Sequence, residues 1–131
     1  KTKLEAAIAW SKWEGSTSSL TYRPDMADSF SEPEFALAFA LIENHYFTNK
    51  GFLDHENQLI ETNIDTIRSI PAVIVQGRYD MVCPMSTAWE LSQNWPEAQL
   101  IVAPSSGHTA FELEITHELI KATDNFGKNA G

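Results

Sequence analysis

Two short stretches carry residues whose types and placing could do chemistry together. Ile70-Pro71-Ala72-Val73-Ile74-Val75-Gln76-Gly77-Arg78-Tyr79-Asp80 reads as a buried strand running into a loop that presents an acid. Ser105-Ser106-Gly107-His108 is a loop that presents a histidine, just past a second apolar run. If the two strands are parallel neighbours, both loops leave at the same sheet edge, where ligands gather in open α/β sheets. Asp80 would then fix the tautomer of His108 and stabilise its cation, and His108 would act as a general base for a nucleophile. The same aspartate also suits a helix cap, and the histidine an inert loop position.

The nucleophile has no convincing seat in the chain. A strained serine elbow reads G-x-S-x-G after a strand. Gly15-Ser16-Thr17-Ser18-Ser19 lacks the second glycine and follows a helix. Ser105 and Ser106 share the loop of His108, with nothing that makes either an elbow. Cys83, before Pro84, reads as a buried packing residue. In the order Ser…Asp…His, the serine is expected upstream of Lys1.

Two more acids stand out. Glu14 sits in Trp10-Ser11-Lys12-Trp13-Glu14-Gly15, and Glu43 in Ile42-Glu43-Asn44-His45-Tyr46-Phe47. Both are hemmed by aromatics near expected helix ends. A carboxylate in apolar surroundings is costly unless paired, and a bound ammonium would pair it. A solvated helix-end acid fits the same pattern.

Metal and cofactor signals are weak, and neither is expected. His45 and His55 flank a loop without close partner ligands. His117-Glu118-Leu119-Ile120-Lys121 begins like a zinc-protease helix, but Lys121 stands where a second histidine is required. His117 reads as a surface residue. No glycine-rich loop could cradle a phosphate. The tryptophan and phenylalanine stripes read as core.

The elements that must position these residues differ between the two parts of the chain. Residues 1–69 are helical in pattern. Leu4, Ile8 and Ser11 share a stripe, and Gly15 reads as a C-cap. Tyr22-Arg23-Pro24-Asp25 reads as a turn. Ser31-Glu32-Pro33-Glu34 opens a second helix, with Ser31 as cap. Phe35, Phe39 and Ile42 continue that helix until Asn49-Lys50-Gly51 breaks it. Short helices are expected over 57–61 and 62–69. Residues 70–131 alternate instead. A strand over 72–76, buried on both faces, precedes a helix over 86–94. A strand over 99–103 precedes a closing helix over 109–124, with Leu113, Ile115, Leu119 and Ile120 as its apolar positions. This order implies a parallel pair with a crossover.

With 131 residues, one domain with a real core is within reach. A net charge of −9, from 18 acids against 9 bases, argues against nucleic-acid or anionic-membrane partners. The lone cysteine allows no internal disulfide, and a reducing, cytoplasmic compartment is the simpler expectation. No apolar run approaches the roughly 20 residues of a membrane span. Two strands are too few for a stable buried sheet. The chain therefore reads as α/β, a helical cap segment (1–69) followed by the last strands of a larger core (70–131).

These motifs resemble the C-terminal part of the proline iminopeptidases of the α/β-hydrolase fold, from about Ala7 to Phe126. The resemblance rests on Ala9-Trp10-Ser11-Lys12-Trp13-Glu14-Gly15, on Ile42-Glu43-Asn44-His45-Tyr46-Phe47, on Val75-Gln76-Gly77-Arg78-Tyr79-Asp80-Met81-Val82-Cys83-Pro84 and on Gly107-His108-Thr109-Ala110-Phe111-Glu112. Ser106 and Thr109 vary slightly from the family pattern. The resemblance implies that Asp80 and His108 are the triad acid and base, and that Glu14 and Glu43 hold the substrate's terminal amine. It implies release of an N-terminal proline without a metal, with serine and oxyanion hole in a first half absent from this chain. The partners so implied are a peptide with N-terminal proline and that missing half. Self-association through open strand edges is also expected. The competing expectation is a non-catalytic acidic module that binds a basic partner.

Overall fold

Small residues decide how the first helices meet. Helix α1 (Thr2–Thr17) buries Ala7, Ser11, Glu14 and Gly15. In the computed structural model, which describes residues 2–54 and 59–129, it packs on α2 (Pro24–Phe30) and α3 (Pro33–Thr48). Ser11 is fully buried, and its hydroxyl donates to the Ala36 carbonyl on α3 at 3.3 Å. Gly15 is not the C-cap that its place suggests, because the helix runs two residues further. It is a close-approach glycine: a Cβ there would lie 2.8 Å from Phe30 Cγ.

Interfaces built from alanine, serine and glycine draw the backbones together and leave the large rings outside. Trp10 is 42% exposed, Trp13 57% and Phe47 62%, so the aromatic stripes are not the core. They stack on one another instead. Phe30, Phe35 and Phe39 form a cluster with centroids 5.0 to 5.5 Å apart.

The turn expected at Tyr22–Asp25 is a helix start. Pro24 supplies the fixed φ of a first position, and Asp25 sits in the positive first turn beside Arg23, 2.5 Å away. Ser31 does not cap α3. It ends α2, and its hydroxyl donates back to the Ala27 carbonyl at 2.6 Å. Helix α3 stops where expected, because Lys50, Gly51 and Phe52 take φ of 53°, 62° and 61°. His45 packs its ring on Tyr46 and Phe52. His55 lies outside the described residues, as do Asn57 and Gln58 of the expected short helix.

Two units divide the chain, Lys1–Glu56 and Asn57–Gly131. In the second, a π-helical turn (Leu59–Asn63) leads into α4 (Ile64–Ile67), β1 (Val73–Gly77), α5 (Met85–Asn94), β2 (Gln99–Ala103) and α6 (Leu113–Asn129). The strands are parallel, in register from Val73↔Gln99 to Gly77↔Ala103. Arg68, just after α4, donates to both carboxylate oxygens of Glu97, just before β2. The strands are half-buried rather than fully buried; among the described residues, α5 and α6 pack on the pair.

Helix α6 begins at Leu113, later than the expected Thr109, because Thr109–Glu112 forms a turn that holds the preceding loop. Its buried positions are Ile115 and Ala122, whereas Leu113 is 88% and Ile120 55% exposed. No described helix is long and apolar enough to cross a membrane.

Candidate functional site

A glycine lets the loops after β1 and β2 touch. Gly77 ends β1 and is buried. The backbone of the second loop passes over it, with the Gly107 carbonyl carbon and the Ser106 carbonyl oxygen each 2.8 Å from where a Cβ would be. The approach is then tied down. Arg78 N–H donates to the Ala103 carbonyl at 2.9 Å, and Tyr79 N–H to the Ser106 carbonyl at 3.0 Å.

From these loops Asp80 and His108 meet, with His108 Nδ1 3.0 Å from Asp80 Oδ2. The Asp80 side chain is 6% exposed and that of His108 38%, so the acid is sealed while the ring still reaches solvent. Asp80 does not cap α5, whose N-cap is Pro84. Its Oδ1 accepts the backbone N–H groups of Val82 and Cys83 at 2.9 and 2.8 Å, closing a tight turn on the acid itself. Its Oδ2 accepts from Gln76 Nε2 at 3.1 Å and faces His108.

The histidine loop has its own supports, supplied by the turn before α6 and by the first turn of that helix. Gly107 N–H donates to Glu112 Oε2, while Ser105 N–H and the Ser106 hydroxyl donate to Glu114 Oε2 at 2.8 and 3.1 Å. Ser106 is buried in this role, 1% exposed. Cys83 is exposed rather than buried. Its backbone N–H and carbonyl serve the site.

In the helical unit, Trp10 Nε1–H donates to Glu43 Oε2 at 2.5 Å, across from α1 to α3. The Trp10 ring also meets Phe47 edge-on, one turn beyond Glu43. Glu14 lies one turn after Trp10 on α1 and is 9% exposed, so it is not a solvated helix-end acid. The sequence-predicted residues thus fall into two groups, one in each unit.

Three residues that matter here escaped the sequence reading. Gln76 carried a signal, a polar side chain closing an otherwise apolar strand. Trp10 was visible only as an aromatic neighbour, and Glu112 only as a motif position. His117 is 72% exposed, in keeping with a surface role. Among the described residues, no group of three or more His, Cys, Asp or Glu side chains could hold a metal ion.

This arrangement supports proton transfer. A carboxylate accepting from Nδ1–H leaves Nε2 as the basic nitrogen of the ring. A family model described as TAP-like protein, of the abhydrolase class, matches residues 53–120. A proline iminopeptidase from Xanthomonas citri is 53% identical over 125 residues, 95% of this chain and 40% of that protein. One from Arabidopsis thaliana is 47% identical, over 91% of this chain and 31% of its own length. One from Neisseria gonorrhoeae is 43% identical, over 93% of this chain and 37% of its own length. An esterase from Exiguobacterium antarcticum superposes with a TM-score of 0.53 at 19% identity, over 97% of this chain and 48% of that one. The fold class is therefore the C-terminal part of an α/β-hydrolase fold. The chain spans about two fifths of the length of the curated relatives it matches.

Proposed function

From the premise that this chain belongs to the TAP-like family of α/β-hydrolases, we propose that it is the cap-and-C-terminal portion of a serine aminopeptidase that releases N-terminal proline. The observation that carries this reading is the Asp80–His108 hydrogen bond at the carboxyl ends of two parallel strands. The names of the relatives supply the substrate class.

In this reading His108 takes the proton of a serine outside the chain and returns it to the leaving amine. Asp80 holds the ring and stabilises its cation. Glu14 and Glu43 receive the substrate's terminal amine. A prolyl terminus is a secondary ammonium with two N–H donors, and two carboxylates accept one each. Such charge-assisted bonds are worth roughly 1.5–3 kcal/mol each where water is excluded. Recognition of the free amine selects chain termini, which makes the enzyme an exopeptidase. Residues 1–69 act as the cap segment and 70–131 as part of the core. The lone cysteine fits a reducing, cytoplasmic setting.

In this reading the nucleophile lies outside the chain, and the 131 residues alone are inactive. Exposed Ile70, Trp89 and Phe111 favour association with the missing half or with a second copy. The test is proline-β-naphthylamide hydrolysis by the protein at the full length of its relatives. His108→Ala should abolish proline release and Glu43→Ala should cripple it. Unchanged release in His108→Ala would end the triad assignment.

A further inference from the structure

We propose that Gln76 is a positioning residue for the Asp80–His108 pair, acting through both hydrogens of its side-chain amide. The proposal rests on the acid–base reading of that pair. Gln76 Nε2 donates to Asp80 Oδ2 at 3.1 Å and to the Cys83 carbonyl at 2.9 Å. The Cys83 N–H in turn donates to Asp80 Oδ1 at 2.8 Å. Strand β1 and both ends of the acid's own turn are thereby closed into one ring of bonds.

The count of donors makes the case. A carboxylate offers about four lone-pair sites. Val82 and Cys83 backbone N–H groups take the two on Oδ1, and Gln76 and His108 take the two on Oδ2. Without Gln76, only the Oδ1 side is fixed by the protein frame, and Oδ2 is left to the histidine it is meant to hold. Rotation of the carboxylate about its Oδ1 anchors would then carry Oδ2 away from Nδ1. Gln76 opposes that rotation from a strand, the most rigid element available. Gln76 is half-buried on β1, and its amide nitrogen faces the acid and the turn that the acid closes.

The test uses the protein at the full length of its relatives, with proton NMR of the His108 Nδ1–H, whose downfield resonance reports its hydrogen bond to Asp80. That resonance is assigned by its loss in His108→Gln. Gln76→Leu should shift it upfield or broaden it away. It should also lower kcat by about 10- to 100-fold with KM within about twofold, the scale expected for a misplaced catalytic group. Gln76→Glu keeps the shape but loses the donors, and should reproduce the loss if Gln76→Leu does not fold. Gln76→His, which retains a ring N–H donor, should restore part of both signals. An unmoved resonance and unchanged kcat in folded Gln76→Leu or Gln76→Glu would overturn the proposal. The two readings fail separately. If the unsubstituted protein releases no proline while the resonance still collapses in Gln76→Leu, the peptidase reading falls and the positioning role stands.

Discussion

The Gly107 carbonyl fills the space that a side chain on Gly77 would need. Strand β1 and the histidine loop are thus in backbone contact at the point where the acid loop departs. The obstacle is main chain rather than a flexible side-chain end, so it cannot swing aside. Gly77→Ala should therefore displace residues 105–108 and destabilise the protein by about 2–4 kcal/mol. Urea unfolding followed by circular dichroism measures this. A loss under about 0.5 kcal/mol would show that the loop yields.

Gly15 presents the opposite of the usual helix expectation. Within a helix, Gly→Ala ordinarily stabilises by about 1 kcal/mol. Here the added methyl meets the Phe30 ring at 2.8 Å and the Met26 carbonyl at 3.2 Å. Gly15→Ala should destabilise, by about 1–3 kcal/mol, the cost typical of overpacking. The melting temperature reads the sign directly.

Trp10 and Glu43 give a test of amine recognition. The indole N–H donates to Oε2 of Glu43, the carboxylate proposed to receive the amine. Trp10→Phe keeps an aromatic ring, though a smaller one, and removes the donor. In the protein at full length, we expect KM for a prolyl substrate to rise about 3- to 10-fold with kcat nearly held, the scale of one hydrogen bond to a charged group. Glu43→Gln should cost more, about 10- to 100-fold in kcat/KM. Equal effects of the two variants would argue against a role for Glu43 beyond its bond to Trp10.

Arg68 and Glu97 make stability depend on pH. The guanidinium beside Glu97 holds that carboxyl below its usual range, chiefly through their hydrogen bonds. A depressed folded-state value contributes stability above the unfolded value and loses it as pH falls through the folded one. Arg68→Gln should therefore lower the melting temperature at pH 7, and the gap from the parent should close on acidification below the carboxylate range. Both residues are exposed, so the gap should be small and should shrink in added salt. A gap that persists at low pH would assign the effect to packing.

The strand–loop placement was legible because parallel strands impose a short vocabulary. Apolar runs at Val73–Gly77 and Gln99–Ala103 fixed the sheet, and residues just past their ends fell at one edge. The helical unit was harder, since its packing is carried by Ala7, Ser11, Gly15 and Ala36, residues with little hydrophobic signal. Large aromatics drew attention to the wrong face. The helix at Pro24–Phe30 was hidden because proline both breaks helices and begins them. Ser31 and Asp80 each looked like caps. What Asp80 does instead depends on the turn it closes, which no periodicity reports.

The last matched pair of the sheet, Gly77 and Ala103, lies directly beneath the two functional loops. The Arg78 amide is bound to the Ala103 carbonyl and the Tyr79 amide to the Ser106 carbonyl. Fraying of the strands from this end loosens the two loops that carry the acid and the histidine. The exchange rates of these two amide protons are thus a direct gauge of how often those loops part. Solvent protection there reports how tightly the two loops are held, one and two residues before Asp80.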